Sequence, residues 1–402
     1  MQFKRGDDFM RQGIAFFSSS IPPDFGGAGK RTFNQAKYMA DDGKKVTVIT
    51  FTQAEFEYPN LTIKSIKTPK WYKNSGKIYK LFRLLYSPII FIRITRAIKQ
   101  EDIGLVHCIP GFSNITALVI LACKIVRKPI IIETTLFGSD DPFSAAKGLF
   151  SSLKRSIFKQ VDGVVSISPL LDKVCEDAGF SEQQRYIIPN FVDVDKFRPE
   201  VDKNKLRELL GVNEFSRILL YVGILRERKG VADLIYGFKS MEDKLGNCCL
   251  VLVGPTDKDA ENIEYTQYLR DTVERLGLTD KILFIGESQN VDLWMKASDL
   301  FLFASQREGF GTVLIEAMST GLPVVTTNIE GITNYIIENK VDGCIVENSA
   351  EIFDVVKEIL DNPSVYDELS RNARKNSMEK FNISKVMTTY YNLYESILNA
   401  RL

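Results

Sequence analysis

Short apolar runs alternate with amphipathic stretches of helical period along almost the whole chain. In the first half the apolar runs fall at residues 13–18, 45–51, 104–109, 129–134 and 162–166. In the second half they fall at 217–223, 248–254, 281–286, 299–304 and 323–327. Runs such as Ile218-Leu-Leu-Tyr-Val and Leu250-Val-Leu-Val are apolar at consecutive positions. Strands of that kind are covered on both faces, as in parallel sheets. Strand, helix, strand repetition therefore predicts an α/β chain of two doubly wound, Rossmann-like domains. The boundary is expected in the linker that begins near Asn190, giving a first domain of 1–195 and a second of 196–380. Helices are expected at 364–381 and 384–398, so that 381–402 forms a terminal helix.

The most telling segment follows the run 299–304. Arg307-Glu308-Gly309-Phe310-Gly311 makes a turn and opens a short helix over 312–320. Gly321 sits where that helix stops, and Pro323 blocks its continuation. Glycines at a strand-to-helix turn let the backbone approach a ligand. The helix start, with the N–H groups of Phe310, Gly311 and Thr312, suits a phosphate. Glu316, one turn into the helix, has a carboxylate able to accept from two adjacent hydroxyls, as on a ribose. Glu308 lies on the loop, where the rest of such a ligand projects.

Cations occupy helix starts where the dipole disfavours them. Arg226, Arg228 and Lys229 follow the run ending at Gly223 and precede a helix expected over 230–241. Three together make sense over an anion. In the first half, Asp24-Phe-Gly26-Gly27-Ala-Gly29-Lys30-Arg31 precedes a helix expected over 34–41. This glycine loop fits neither the P-loop nor the dinucleotide fingerprint.

These segments resemble the family 4 retaining glycosyltransferases. Glu308 through Glu316 matches that family's E-x7-E signature, continued by Glu316-Ala-Met-Ser-Thr-Gly-Leu-Pro-Val-Val-Thr-Thr. Pro189, Asn190, Val192, Asp193, Phe197 and Pro199 match its linker segment. Lys229 and Gly230 match its Lys-Gly pair, while Ile224 stands where the family often has Arg. The resemblance implies a GT-B fold, with two domains facing a cleft and the terminal helix crossing back to the first. It implies a retaining, metal-independent transfer from a nucleotide diphosphate sugar, UDP-linked by expectation, to a saccharide or lipid-linked acceptor in envelope polysaccharide synthesis, with no cofactor. By the same resemblance Lys229 neutralises the donor diphosphate, joined by Arg226 or Arg228, Glu316 binds the ribose and Glu308 the donor sugar. The loop of Gly26 and Gly27 faces the donor diphosphate and the acceptor, and backbone at 286–290 reads the base. Relatives place a His near Thr135; here Thr134, Thr135, Asp140 or Asp141 are left to line the sugar pocket. A nucleotide-sugar epimerase, a phosphorylase and a non-catalytic relative are the alternatives.

Composition narrows the rest. The 402 residues carry a net charge of +1, so bulk charge favours no polyanion. The single histidine, His107, rules out a multi-His metal site, and is expected as a satisfied core or rim residue. The Asp193-Val-Asp195 triplet reads as a turn rather than a metal motif. Six cysteines without a C-x-x-C pair read as buried thiols of a cytosolic protein. No signal-type apolar segment is expected at the polar start 1–12, and no run is long enough for a transmembrane helix. One local bias stands out. Residues 58–100 contain no Asp or Glu but seven Lys and three Arg, interleaved with aromatics. This predicts a basic amphipathic helix that either lies on an anionic membrane surface, making the protein peripheral, or packs on the core with a solvated basic face. No nucleic-acid recognition motif accompanies the charge.

Overall fold

The apolar runs become parallel strands. The computed structural model describes residues 13–23, 27–54, 57–73, 76–100, 102–148, 150–200 and 202–401. Gly26 and the start 1–12 lie outside the described residues. The chain divides into a unit of Met1–Ile188 with Met387–Leu402 and a unit of Pro189–Val386.

The first unit is built on β1 (Gly13–Ser18), β2 (Val46–Thr50), β3 (Leu61–Ser65), β4 (Ile103–Cys108), β5 (Ile130–Thr134), β6 (Gly163–Ser166) and β7 (Arg185–Ile187). They form one sheet in the order β3-β2-β1-β4-β5-β6-β7, parallel throughout. The second unit holds β8 (Arg217–Val222), β9 (Cys248–Val253), β10 (Ile282–Gly286), β11 (Leu300–Phe303), β12 (Val324–Thr327) and β13 (Cys344–Val346). Its order is β10-β9-β8-β11-β12-β13, again parallel. β3, β7 and β13 have no counterpart among the apolar runs. β3 and β7 are sheet edges that mix polar with apolar residues, and β13 is only three residues long, so none makes an apolar run of strand length.

Both sheets reverse their strand order beside the first strand of the unit, between β1 and β4 and between β8 and β11. Ligands of doubly wound sheets bind at the carboxyl ends of the strands at such a reversal. In the second unit the segments leaving β8 and β11 are those that carry Lys229 and Glu308.

One helix differs from expectation. It runs Gly27–Asp41 and not 34–41, so Gly27, Gly29, Lys30 and Arg31 lie inside it. The reason is a close approach at its first turn: a Cβ at Gly29 would stand 2.4 Å from the Ser20 carbonyl oxygen. The glycine therefore admits the helix where a larger residue would push it away. The last helix, Ile383–Asn399, brings Tyr390 and Tyr394 into the first unit, both fully buried. There the Arg31 Nε lies 2.5 Å from Glu133 Oε1. The Tyr390 hydroxyl donates to Glu133 Oε2 at 2.5 Å, and Arg31 Nη2 donates to the same hydroxyl at 2.9 Å. Burial opposes ionisation of Glu133, but Arg31 and His107 outweigh it and hold its pKa below the ordinary value. His107 is a core residue, 0% exposed, its Nδ1 2.8 Å from the Tyr394 hydroxyl. Burial drives its pKa down to about 4, although Glu133 pulls the other way.

The six cysteines are buried and unpaired. Asp193 makes a turn, its Oδ1 accepting from the Asp195 and Lys196 amides at 3.1 and 3.0 Å. Among the described residues no helix is long and apolar enough to cross a membrane, and no group of three or more His, Cys, Asp or Glu could hold a metal.

Candidate functional site

The site of the second unit is made where two strand exits are stitched together. After β8 the chain passes Gly223 and turns through a short 3-10 segment, Glu227–Lys229, before the helix Val231–Leu245. After β11 it passes Ser305 to Gly311 and enters the helix Thr312–Ser319. Two hydrogen bonds join the two exits. The Gln306 amide donates to the Arg228 carbonyl at 2.9 Å, and Arg228 Nη1 donates to the Arg307 carbonyl at 2.8 Å. Gly230 permits this closeness. Its φ is +66°, and a Cβ there would lie 2.2 Å from the Ala304 carbonyl oxygen.

The stitching sets Lys229 against Glu308. The Lys229 ammonium donates to Glu308 Oε1, and the side chains are only 12% and 11% exposed. Two further groups converge on the same oxygen. The Ser305 hydroxyl donates to it at 2.7 Å, and Arg228 Nη1 stands 3.9 Å away. Burial lowers the Lys229 pKa, and the Glu308 charge opposes that shift. Below the pair, Tyr221 is fully buried, its hydroxyl 3.2 Å from the Ile224 carbonyl. Burial, then the nearby Glu308 charge, raise its pKa well above normal.

Phe310 is 2% exposed and anchors the turn edge-on to Tyr335 and Phe381, with ring centroids 6.4 and 5.9 Å away. Gly311, with φ +90°, then starts the helix. Thr312 is its first residue, and Thr312 Oγ1 accepts from Asn190 Nδ2 at 2.7 Å. Glu316 lies half-buried on the next turn. Gly223 packs backbone to backbone with Gly254: a Cβ on Gly254 would fall 1.9 Å from the Gly223 carbonyl oxygen. Lys229, Glu308 and Arg228 are thus brought together. Arg226 is not among them; it turns to Asp259 and Glu261, with Nη1 2.8 Å from Glu261 Oε2. Of the two arginines expected beside Lys229, the geometry favours Arg228.

In the first unit the expected sugar-pocket carboxylates are engaged within their own loop. Asp140 accepts from the Thr135 hydroxyl at 2.6 Å and from the Leu136 amide at 2.7 Å. Asp141 caps the short helix Pro142–Ala145, accepting from the Phe143 and Ser144 amides at 3.0 and 2.9 Å. Gly27 heads its helix with open space around it. Ser305 and Asn190 are contributors that no sequence argument assigned to the site. Ser305 sits three positions before Glu308 at a strand exit, a weak signal. Asn190 has none beyond its place in the linker segment.

The profile of glycosyl transferases group 1 matches residues 202–376, and that of glycosyltransferase family 4 matches 25–196. The chain is 30% identical over 311 residues to the UDP-Gal:alpha-D-GlcNAc-diphosphoundecaprenol alpha-1,3-galactosyltransferase of Escherichia coli, covering 75% of this chain and 78% of that one. It is 24% identical to N-acetyl-alpha-D-glucosaminyl L-malate synthase of Bacillus anthracis, over 94% and 95% of the two chains. The fold is that of Anabaena HepE, solved with UDP and glucose, at a TM-score of 0.77 with 20% identity, over 96% of this chain and all of that one. Two profiles that together run from residue 25 to 376, and a relative 30% identical over three quarters of both chains, show that the chain belongs to the family 4, group 1 glycosyltransferases and has their GT-B fold.

Proposed function

We propose that this glycosyltransferase moves a sugar from a UDP-linked donor to a hydroxyl of a saccharide or lipid-linked acceptor, with retention of anomeric configuration and without a metal. The observation that carries the reading is the largely buried Lys229–Glu308 pair at the sheet's reversal point. A lysine in that place supplies the positive charge that a departing diphosphate needs, and charge stabilisation in a water-poor corner is the largest lever on such a step. The donor pyrophosphate competes with Glu308 for the ammonium, assisted by Arg228 and by the amides at the start of the helix Thr312–Ser319. Glu316 takes the ribose hydroxyls. Glu308 turns its second carboxylate oxygen to the sugar. The bond from the anomeric carbon to the phosphate oxygen breaks. The acceptor oxygen attacks from the same face, and its proton passes to the departing phosphate oxygen. The UDP preference draws support from the relatives: the E. coli enzyme is named for UDP-Gal, and HepE was solved with UDP-glucose. The reading includes a cytoplasmic protein that meets its acceptor at an anionic membrane surface.

Lys229→Ala and Glu316→Ala should each lower turnover at least tenfold, about 1.4 kcal/mol. Unchanged turnover in both variants rejects the assigned roles. Conversion of a UDP-sugar to its epimer with no acceptor present rejects transfer itself.

A further inference from the structure

The acid-free stretch forms a helix, Lys77–Ile98, with two apolar faces. Ile90, Ile94 and Ile98 are fully buried in the core of the first unit. On the other side Ile78, Leu81, Leu85, Ile89 and Ile92 recur at helical spacing and form one stripe. That stripe faces water: Ile78 is 60%, Leu81 53% and Leu85 70% exposed. Leu84 and Phe82 widen it at the amino-terminal half, at 62% and 41%. An amphipathic helix ordinarily turns its outer face polar, and contiguous apolar exposure of this kind marks an interaction surface.

The surroundings say what covers it. Trp71, in the short segment Lys70–Lys73, packs against Phe82 and Tyr86 with ring centroids 5.8 and 5.6 Å away. Lys80, Arg96 and Lys99 are exposed on the same helix or at its end. Across residues 58–100 there is no carboxylate to oppose them. Leucines flanked by cations and by Trp and Tyr are the composition of a helix lying in a bilayer interface. The apolar side sits below the headgroups, and the cations lie among lipid phosphates. Lys80 and Arg83 interrupt the apolar sequence, and no described helix is suited to cross a membrane, so the helix lies along the surface.

We propose that the exposed face of Lys77–Ile98 docks this protein on an anionic lipid bilayer, with Leu81 and Leu85 at the centre of the inserted stripe. The docking rests on the proposed function only in that a lipid-linked acceptor gives it a purpose.

The test is sedimentation of the full chain with vesicles of phosphatidylcholine, with and without phosphatidylglycerol, and no donor or acceptor present. The expected result is uptake by the phosphatidylglycerol vesicles that weakens as salt rises. A Leu81→Gln/Leu85→Gln variant should bind them at least about tenfold less tightly, since two large apolar groups leave the bilayer. Both residues are exposed, so the variant should keep the wild-type melting temperature and UDP-sugar affinity. No uptake overturns the proposal, as does equal uptake by both kinds of vesicle. So does self-association of the wild type that the double variant abolishes while vesicle binding is absent. None of these outcomes touches glycosyl transfer, which is read in a separate assay with a water-soluble acceptor.

Discussion

Lys229 and Glu308 occupy a corner where each is tolerable only because of the other. A largely buried charge that loses its partner costs roughly 3–5 kcal/mol, whereas removing both charges together is often nearly neutral. Lys229→Met should therefore destabilise the second unit by roughly 3 kcal/mol, and Lys229→Met/Glu308→Gln should recover at least about 1 kcal/mol of that loss. Urea unfolding of the two variants beside the wild type measures it; additive losses would show that the pair is not coupled. Ser305→Ala belongs with them. Loss of one hydrogen bond to Glu308 should cost on the order of 1 kcal/mol and appear mainly as weaker donor binding. Lys229 and Glu308 are legible in the sequence as candidates because each stands in a contiguous motif with glycines at fixed offsets. The rest of the cluster is not. The choice between Arg226 and Arg228 depends on Asp259 and Glu261, more than thirty positions away, which draw Arg226 aside. The Asn190 amide meets the Thr312 hydroxyl across 122 positions, and no local spacing announces such a bond.

At the scale of elements, the sequence showed each central strand because burial on both faces writes a continuous apolar run. It is silent on β3 and β7, whose edge positions mix polar and apolar residues, and on β13, which is only three residues long. Glycine is the ambiguous letter: the same residue marks a crowded left-handed turn in one place and an open helix start in another. Gly27 starts a helix, whereas Gly311 makes the turn, with φ +90°. Two substitutions separate these roles. Gly230→Ala meets both a left-handed φ and the Ala304 carbonyl, and should cost at least ~2 kcal/mol while opening the join between the β8 and β11 exits. Gly27→Ala meets open space at a helix start and should leave stability unchanged or raise it by up to ~1 kcal/mol. Thermal unfolding of both decides it. Equal losses would mean that the crowding at Gly230 is relieved by a shift of the turn.

Over the whole molecule 51 carboxylates balance 52 Lys and Arg at pH 7; as pH falls below that, one buried residue responds before the carboxylates do. His107 is neutral at pH 7, enclosed with Arg31, Glu133, Tyr390 and Tyr394, and its pKa falls from 6.5 to about 4 on folding. Below 6.5 the unfolded chain takes up a proton that the folded chain refuses. Stability from this residue is thus complete above pH 6.5 and is lost as pH falls toward about 4, by up to roughly 3 kcal/mol. Glu133 acts in the same direction at still lower pH, because its pKa is held down in the fold and protonation removes the partner of Arg31. The sequence offered one histidine at the end of an apolar run and pointed to a core or rim position. The contact with Tyr394, 287 positions away, is what commits it to the core and to the last helix. His107→Gln removes the titration while keeping a polar group near the Tyr394 hydroxyl. The variant should be less stable than the wild type at pH 7, and the gap should narrow steadily between pH 6.5 and 4 in denaturant titrations. Parallel curves across that window would mean that the imidazole accepts its proton within the fold, with Glu133 close enough at 3.5 Å to stabilise the charged ring against burial.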